Sequence, residues 1–145
     1  MVDLASDSLS PTQQAVPHPT VLIVEDEART AEAVALCLRH AGYTVLTAQD
    51  GLTAWRAVEE KRPDAVVLDL NLPVLSGFRL MQLIRRTNAQ PQPRVVVTTG
   101  YSFQEARDVV KLGVDAFVEK PFDPDTLLRA VRFVLAKGRS ASGSA

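Results

Sequence analysis

The apolar run Val66-Val67-Leu68 stops at a carboxylate, Asp69, and is followed by Leu70-Asn71-Leu72-Pro73. A second run, Val21-Leu22-Ile23-Val24, stops at Glu25 and Asp26, and a third, Ala116-Phe117-Val118, leads to Lys120-Pro121-Phe122. A fourth, Val95-Val96-Val97, stops at Thr98 and Thr99. Crowding Glu25, Asp26 and Asp69 together costs like-charge repulsion, which a bound divalent cation relieves. Oxygen ligands with no nearby cysteine or histidine favour Mg2+, which takes one or two carboxylates, several waters and a phosphate oxygen. The chemistry this set suits is phosphoryl transfer. Asp69 closes a strand and, at an ordinary pKa of about 3.9, is already an anionic nucleophile needing no general base. Lys120 offers a point charge and Thr99 a hydroxyl for the phosphoryl oxygens.

These residues are far apart in sequence, so the elements must bring them together. Runs without polar alternation suit strands buried on both faces, as in a parallel sheet covered by helices. In open sheets of that kind the ligand site lies beyond the carboxyl ends of the strands. Between the strands lie helical patterns. Glu27 to Ala41 carries Ala31, Val34, Ala35 and Leu38 at helical spacing and stops at Gly42; Leu52 to Lys61 turns Ala54, Trp55 and Val58 inward. Ser76 caps a helix to about Arg86 with Leu80, Leu83 and Ile84 on its inner face. A fourth helix carries Ala106, Val109, Val110 and Gly113 on one face, and Asp123-Pro124 opens a last one with Leu127, Leu128, Val131, Val134 and Leu135. Strict alternation with right-handed crossovers predicts an α/β fold: a doubly wound five-stranded parallel sheet of order 2-1-3-4-5, helices on both faces, a flavodoxin-like three-layer sandwich. That order sets Asp26 beside Asp69.

The chain has 145 residues, enough for one domain with a single core. Its net charge of -1, from 16 basic and 17 acidic residues, gives no reason to expect nucleic acid or an anionic membrane as partner. One cysteine, Cys37, makes no internal disulfide, which fits a reducing cytoplasm. Residues 1–19, rich in Ser, Pro and Gln and without the pattern of a signal peptide, read as a disordered N-terminal arm; 20–137 as the folded domain; 138–145 as a flexible tail. Cys37 reads as a small, partly buried filler, His40 as a surface residue at a helix end, and Arg85-Arg86 as a solvated helix end.

Glu25-Asp26, Asp69, Thr99 followed by Gly100, Lys120-Pro121-Phe122 and the turn from Pro73 to Gly77 together resemble the receiver domain of bacterial two-component response regulators, over residues 20 to 137. The resemblance implies that Asp69 accepts a phosphoryl group from a sensor histidine kinase or a histidine phosphotransferase. It implies magnesium on Asp26 and Asp69 with the main-chain carbonyl of Asn71, and Glu25 acting through water. Thr99 and Phe117 would be the switch pair, Lys120 would bridge to the phosphoryl oxygen, and the Lys120-Pro121 bond would be cis. The segment from Thr99 to Gly113 is a residue shorter than in common family members, which leaves Thr98 as the alternative switch hydroxyl; Gly100 after Thr99 favours Thr99.

The expected role is a stand-alone receiver that, when phosphorylated, binds a downstream effector protein through its fourth helix, fifth strand and fifth helix. A phosphorelay intermediate or phosphate sink is the alternative within signalling. A phosphatase of the haloacid-dehalogenase type would need a second aspartate where Asn71 stands, so turnover is disfavoured beyond slow self-dephosphorylation. A flavodoxin would need a hydroxyl-rich loop where Glu25-Asp26-Glu27 stands.

Overall fold

The computed structural model describes residues 18–72, 74–87, 91–100 and 107–137, and for 109 and 110 the main chain only. The arm before residue 18, the tail from 138, Pro73, Ala106 and Tyr101 lie outside the described residues, as do the side chains of Val109 and Val110.

Among the described residues ten elements alternate: β1 Thr20–Val24, α1 Ala28–His40, β2 Thr44–Ala48, α2 Gly51–Lys61, β3 Ala65–Asp69, α3 Gly77–Arg86, β4 Arg94–Thr99, α4 Arg107–Val110, β5 Ala116–Glu119 and α5 Pro124–Ala136. The strands form one parallel sheet of order β2-β1-β3-β4-β5. Central strands β1, β3 and β4 are buried on both faces, as their unbroken apolar runs require.

Two apolar layers cover the sheet. On one face Leu22, Val24, Val66, Leu68, Val95 and Val97 meet Ala54 and Val58 of α2 and Leu80, Met81 and Ile84 of α3. On the other, Val21, Ile23, Val67 and Val96 meet Ala31, Val34, Ala35 and Leu38 of α1 and Leu127, Val131 and Val134 of α5. Alternate residues of each strand thus serve opposite layers. Among the described residues no helix is long and apolar enough to cross a membrane.

Local signals set the helix ends. Asp50, Ser76 and Asp123 each cap a helix by accepting from the main-chain N–H three residues on, at 2.8, 3.1 and 2.8 Å. Gly42, at φ 101°, follows α1. Helix α2 ends on Arg62 in the left-handed region, just before Pro63.

Asp69 closes β3 and Glu119 closes β5, both still paired in register, with Thr98 and Thr99. Two readings shift. Gly113 is not on a helical face: α4 ends at Val110, and Gly113 has a left-handed φ of 91° in the turn before β5. Arg85 is not a solvated helix end. Its guanidinium donates to the carbonyls of Leu112, Pro93 and Gly113 at 3.2, 3.2 and 2.6 Å, to Gln92 Oε1 at 2.9 Å, and pairs with Asp115 at 3.5 Å. Asp115 in turn accepts from the Val95 N–H at 2.8 Å, so Arg85 ties the end of α3 to the starts of β4 and β5. Arg86, by contrast, is exposed.

Candidate functional site

The carboxyl ends of β1, β3 and β5 converge. Glu25 directly follows β1 and is buried, its N–H held by the Ala48 carbonyl at 3.0 Å, while Asp26 faces solvent. Asp69 ends β3 and is also buried. Carboxylate oxygens of Glu25, Asp26 and Asp69 lie within 4.8 Å of one another. Lys120, just past β5, sets Nζ at 3.0 Å from both Glu25 Oε1 and Asp69 Oδ2.

Main-chain contacts orient the parts. The second oxygen of Asp69 accepts from the Asn71 N–H at 3.0 Å, and Glu25 Oε2 accepts from the Glu27 N–H at 3.1 Å. The Lys120 N–H donates to the Thr99 carbonyl at 2.8 Å, and the Leu70 N–H to the Thr98 carbonyl at 3.2 Å. The Lys120-Pro121 bond is cis.

The electrostatics follow from one cation facing a surplus of acids. Burial pushes the Glu25 carboxyl above its usual range, aided by the charge of Asp69 and opposed by hydrogen bonds from Lys120 and the Glu27 N–H. Burial pulls the Lys120 ammonium down, but its bonds to Asp69 and Glu25 outweigh that and hold it above the ordinary lysine value. The donor set is all carboxylate oxygen and convergent, which fits a hard divalent cation.

The loop after Asp69 is held by close packing that sequence alone did not reveal. A Cβ on Gly77 would come within 2.6 Å of the Asp69 carbonyl oxygen, and one on Gly51 within 2.0 Å of the Leu75 carbonyl oxygen, so both positions need glycine. Between them Val74 stands at φ 70°, exposed, in a conformation that costs a β-branched residue about 1–2 kcal/mol. The pair Asp50-Gly51 reads as a turn from sequence, and nothing local marks its contact with the distant loop.

The two threonines point to opposite layers. Val95 and Val97 share the α2–α3 layer, against which Phe117 also packs, and alternation along β4 sets Thr99 with them. Thr98 follows Val96 to the other face, where it lines a small internal space with Val34, Phe122 and Leu127. Thr99 and Phe117 are therefore on one face, and Thr98 is not.

Comparison with known proteins bears on this geometry. A family profile described as response regulator receiver domain matches residues 21–132. The chain is 35% identical over 118 residues to the probable transcriptional regulatory protein TcrX of Mycobacterium tuberculosis, covering 81% of this chain and 50% of that protein. It spans about half the length of the curated relatives it matches. Among solved structures it is similar to the chemotaxis response regulator CheY4 of Vibrio cholerae, with a TM-score of 0.76 and 30% identity, covering 81% of this chain and 98% of that one. It is similar too to the receiver domain of the sensor histidine kinase PA1611 from Pseudomonas aeruginosa, with a TM-score of 0.74 and 28% identity over 82% of this chain and 98% of that one. That structure has a magnesium ion coordinated in its active site cleft.

Proposed function

The chain belongs to the response regulator receiver domain family, and we propose that within it Asp69 is the phosphoacceptor of a two-component signalling pathway. The observation that carries this is the Lys120 ammonium at 3.0 Å from both Glu25 and Asp69, beside a convergent cluster of three acids at the carboxyl edge of the sheet. The donor is a phosphohistidine of a sensor kinase or a histidine phosphotransferase in the cytoplasm. An Asp69 carboxylate oxygen attacks phosphorus, the P–N bond breaks, and its electron pair stays on the imidazole nitrogen. Glu25, Asp26 and Asp69, with the Asn71 carbonyl, are the residues that would hold Mg2+, whose charge offsets the repulsion between anionic acceptor and donor.

Lys120 passes from carboxylate partner to partner of a phosphoryl oxygen, which its place between Glu25 and Asp69 allows. Thr99 turns its hydroxyl to another phosphoryl oxygen, and Phe117 on the same face follows into the space left. The changed surface of the fourth helix, β5 and α5 then engages a downstream protein. Only a difference of a few kcal/mol between two packings is needed for that shift.

Intact-mass analysis after incubation with acetyl phosphate tests the reading. A magnesium-dependent phosphate adduct is expected on the wild type and absent from Asp69→Asn. No adduct on a folded wild type, or an equal adduct on both, overturns it.

A further inference from the structure

Helices α1 and α5 run side by side over one face of the sheet, and an open groove of about 560 Å³ lies between them. Leu36, 65% exposed, joins Cys37 and Leu128 in an apolar lining. Both helices run against the strand direction, so Asp125 marks the groove's end near the carboxyl edge, while His40 and Arg132 make the opposite end basic. This lies on the far side of α1 and α5 from the sheet and includes none of the acids described above.

The chain's first residues leave from the basic end. The Pro19 carbonyl accepts from the Thr44 N–H at 3.0 Å, and only Gly42 and Tyr43 separate Thr44 from Ala41 at the groove's edge. Residues 1–17 carry Val2, Leu4, Leu9 and Val16, two acids, Asp3 and Asp7, and neither lysine nor arginine. From Ala33 to Ala41 the groove follows about 12 Å of helix at 1.5 Å per residue. Four extended residues cover that length at roughly 3.3 Å each, so seventeen reach it with slack.

We propose that residues 1–17 occupy the α1–α5 groove of their own chain, with leucine and valine side chains over Leu36 and Leu128 and the two acids answering His40 and Arg132. Being tethered, the segment acts at an effective concentration on the order of mM, so even a weak contact keeps the groove filled. This holds or fails independently of phosphoryl chemistry.

Cys37 supplies the readout, because it is the chain's one cysteine and lines the groove, with Sγ 3.8 Å from the Pro124 carbonyl oxygen. Its alkylation rate by iodoacetamide is followed by intact mass on three full-length proteins: the wild type, a variant with Leu4→Ser, Leu9→Ser and Val16→Ser, and a variant with Asp3→Lys and Asp7→Lys. The first variant is expected to react about fivefold faster than the wild type, the second to fall between. Equal rates in all three, with unchanged melting temperatures, overturn the proposal. Protection that survives the substitutions and grows with protein concentration also overturns it, in favour of a second copy in the groove.

Discussion

Two charged clusters occupy opposite ends of the same sheet. Lys120 meets Glu25 and Asp69 beyond the carboxyl ends of the strands, and Arg85 meets Asp115 beyond the amino ends. Burial does not separate them: the lysine is 29% exposed and the arginine 23%. What differs is the balance of charge and of hydrogen bonds. Arg85 pairs with Asp115, one charge to one, and its other donors are taken by main-chain carbonyls and Gln92, so that pair is balanced and the guanidinium's hydrogen bonds are complete. Lys120 faces two buried carboxylates with a third acid, Asp26, close by, which leaves the other end with a surplus of negative charge and oxygens turned to solvent. A balanced ion pair holds elements together; an unbalanced one has room to take a cation.

That contrast can be broken by substitution. Arg85→Gln should cost the most, about 2–4 kcal/mol, because it orphans several carbonyls and strands Asp115. The loss, read from urea midpoints, should be the same in EDTA and in magnesium; a loss that magnesium repairs would show that the amino-end pair is not balanced. Lys120→Met should cost ~1–3 kcal/mol in EDTA, since it leaves Glu25 and Asp69 facing each other unscreened, and that deficit should shrink when magnesium is added.

The same variant carries a pH test. Lys120 has a folded pKa above its unfolded value, so its stabilisation is full below the ordinary lysine value of about 10.4 and is lost as pH rises through the folded value. The difference in melting temperature between wild type and Lys120→Met should therefore close on the alkaline side.

The smallest effect has the opposite sign. Glu25 has a raised folded pKa from burial, so its ionised form works against folding, and Glu25→Gln should raise stability in EDTA at neutral pH by about 1 kcal/mol or less. The gain should vanish below the ordinary glutamate value of about 4.3, where the wild-type side chain is itself protonated. A loss at neutral pH instead would mean that the ion pair with Lys120 outweighs the cost of burying the charge.

Much of this was legible in the residues. Apolar runs leading to Glu25, Asp69 and Lys120 marked where strands stop, and a parallel order then forced those ends together. Capping by Ser76 and Asp123 was local chemistry that a three-residue window carries. Arg85 was misread because a long cation at a helix end looks solvated until the carbonyls of Leu112 and Gly113, 27 and 28 residues on, are packed beside it.

The choice between Thr98 and Thr99 shows the boundary most clearly. A strand buried on both faces is apolar at every position, so Val95-Val96-Val97 carries no phase from which to tell one layer from the other. The sequence by itself determined the order of elements, their ends and the residue types that meet at the carboxyl edge, because periodicity and capping act over a few residues. Only the tertiary structure decided that Thr99 shares its face with Phe117, that the Leu75 carbonyl leaves no room for a Cβ at Gly51, and that Arg85 is ringed by carbonyls while Lys120 stands between two buried acids. Those outcomes depend on which distant groups packing brings within a few ångströms, and no local pattern records them.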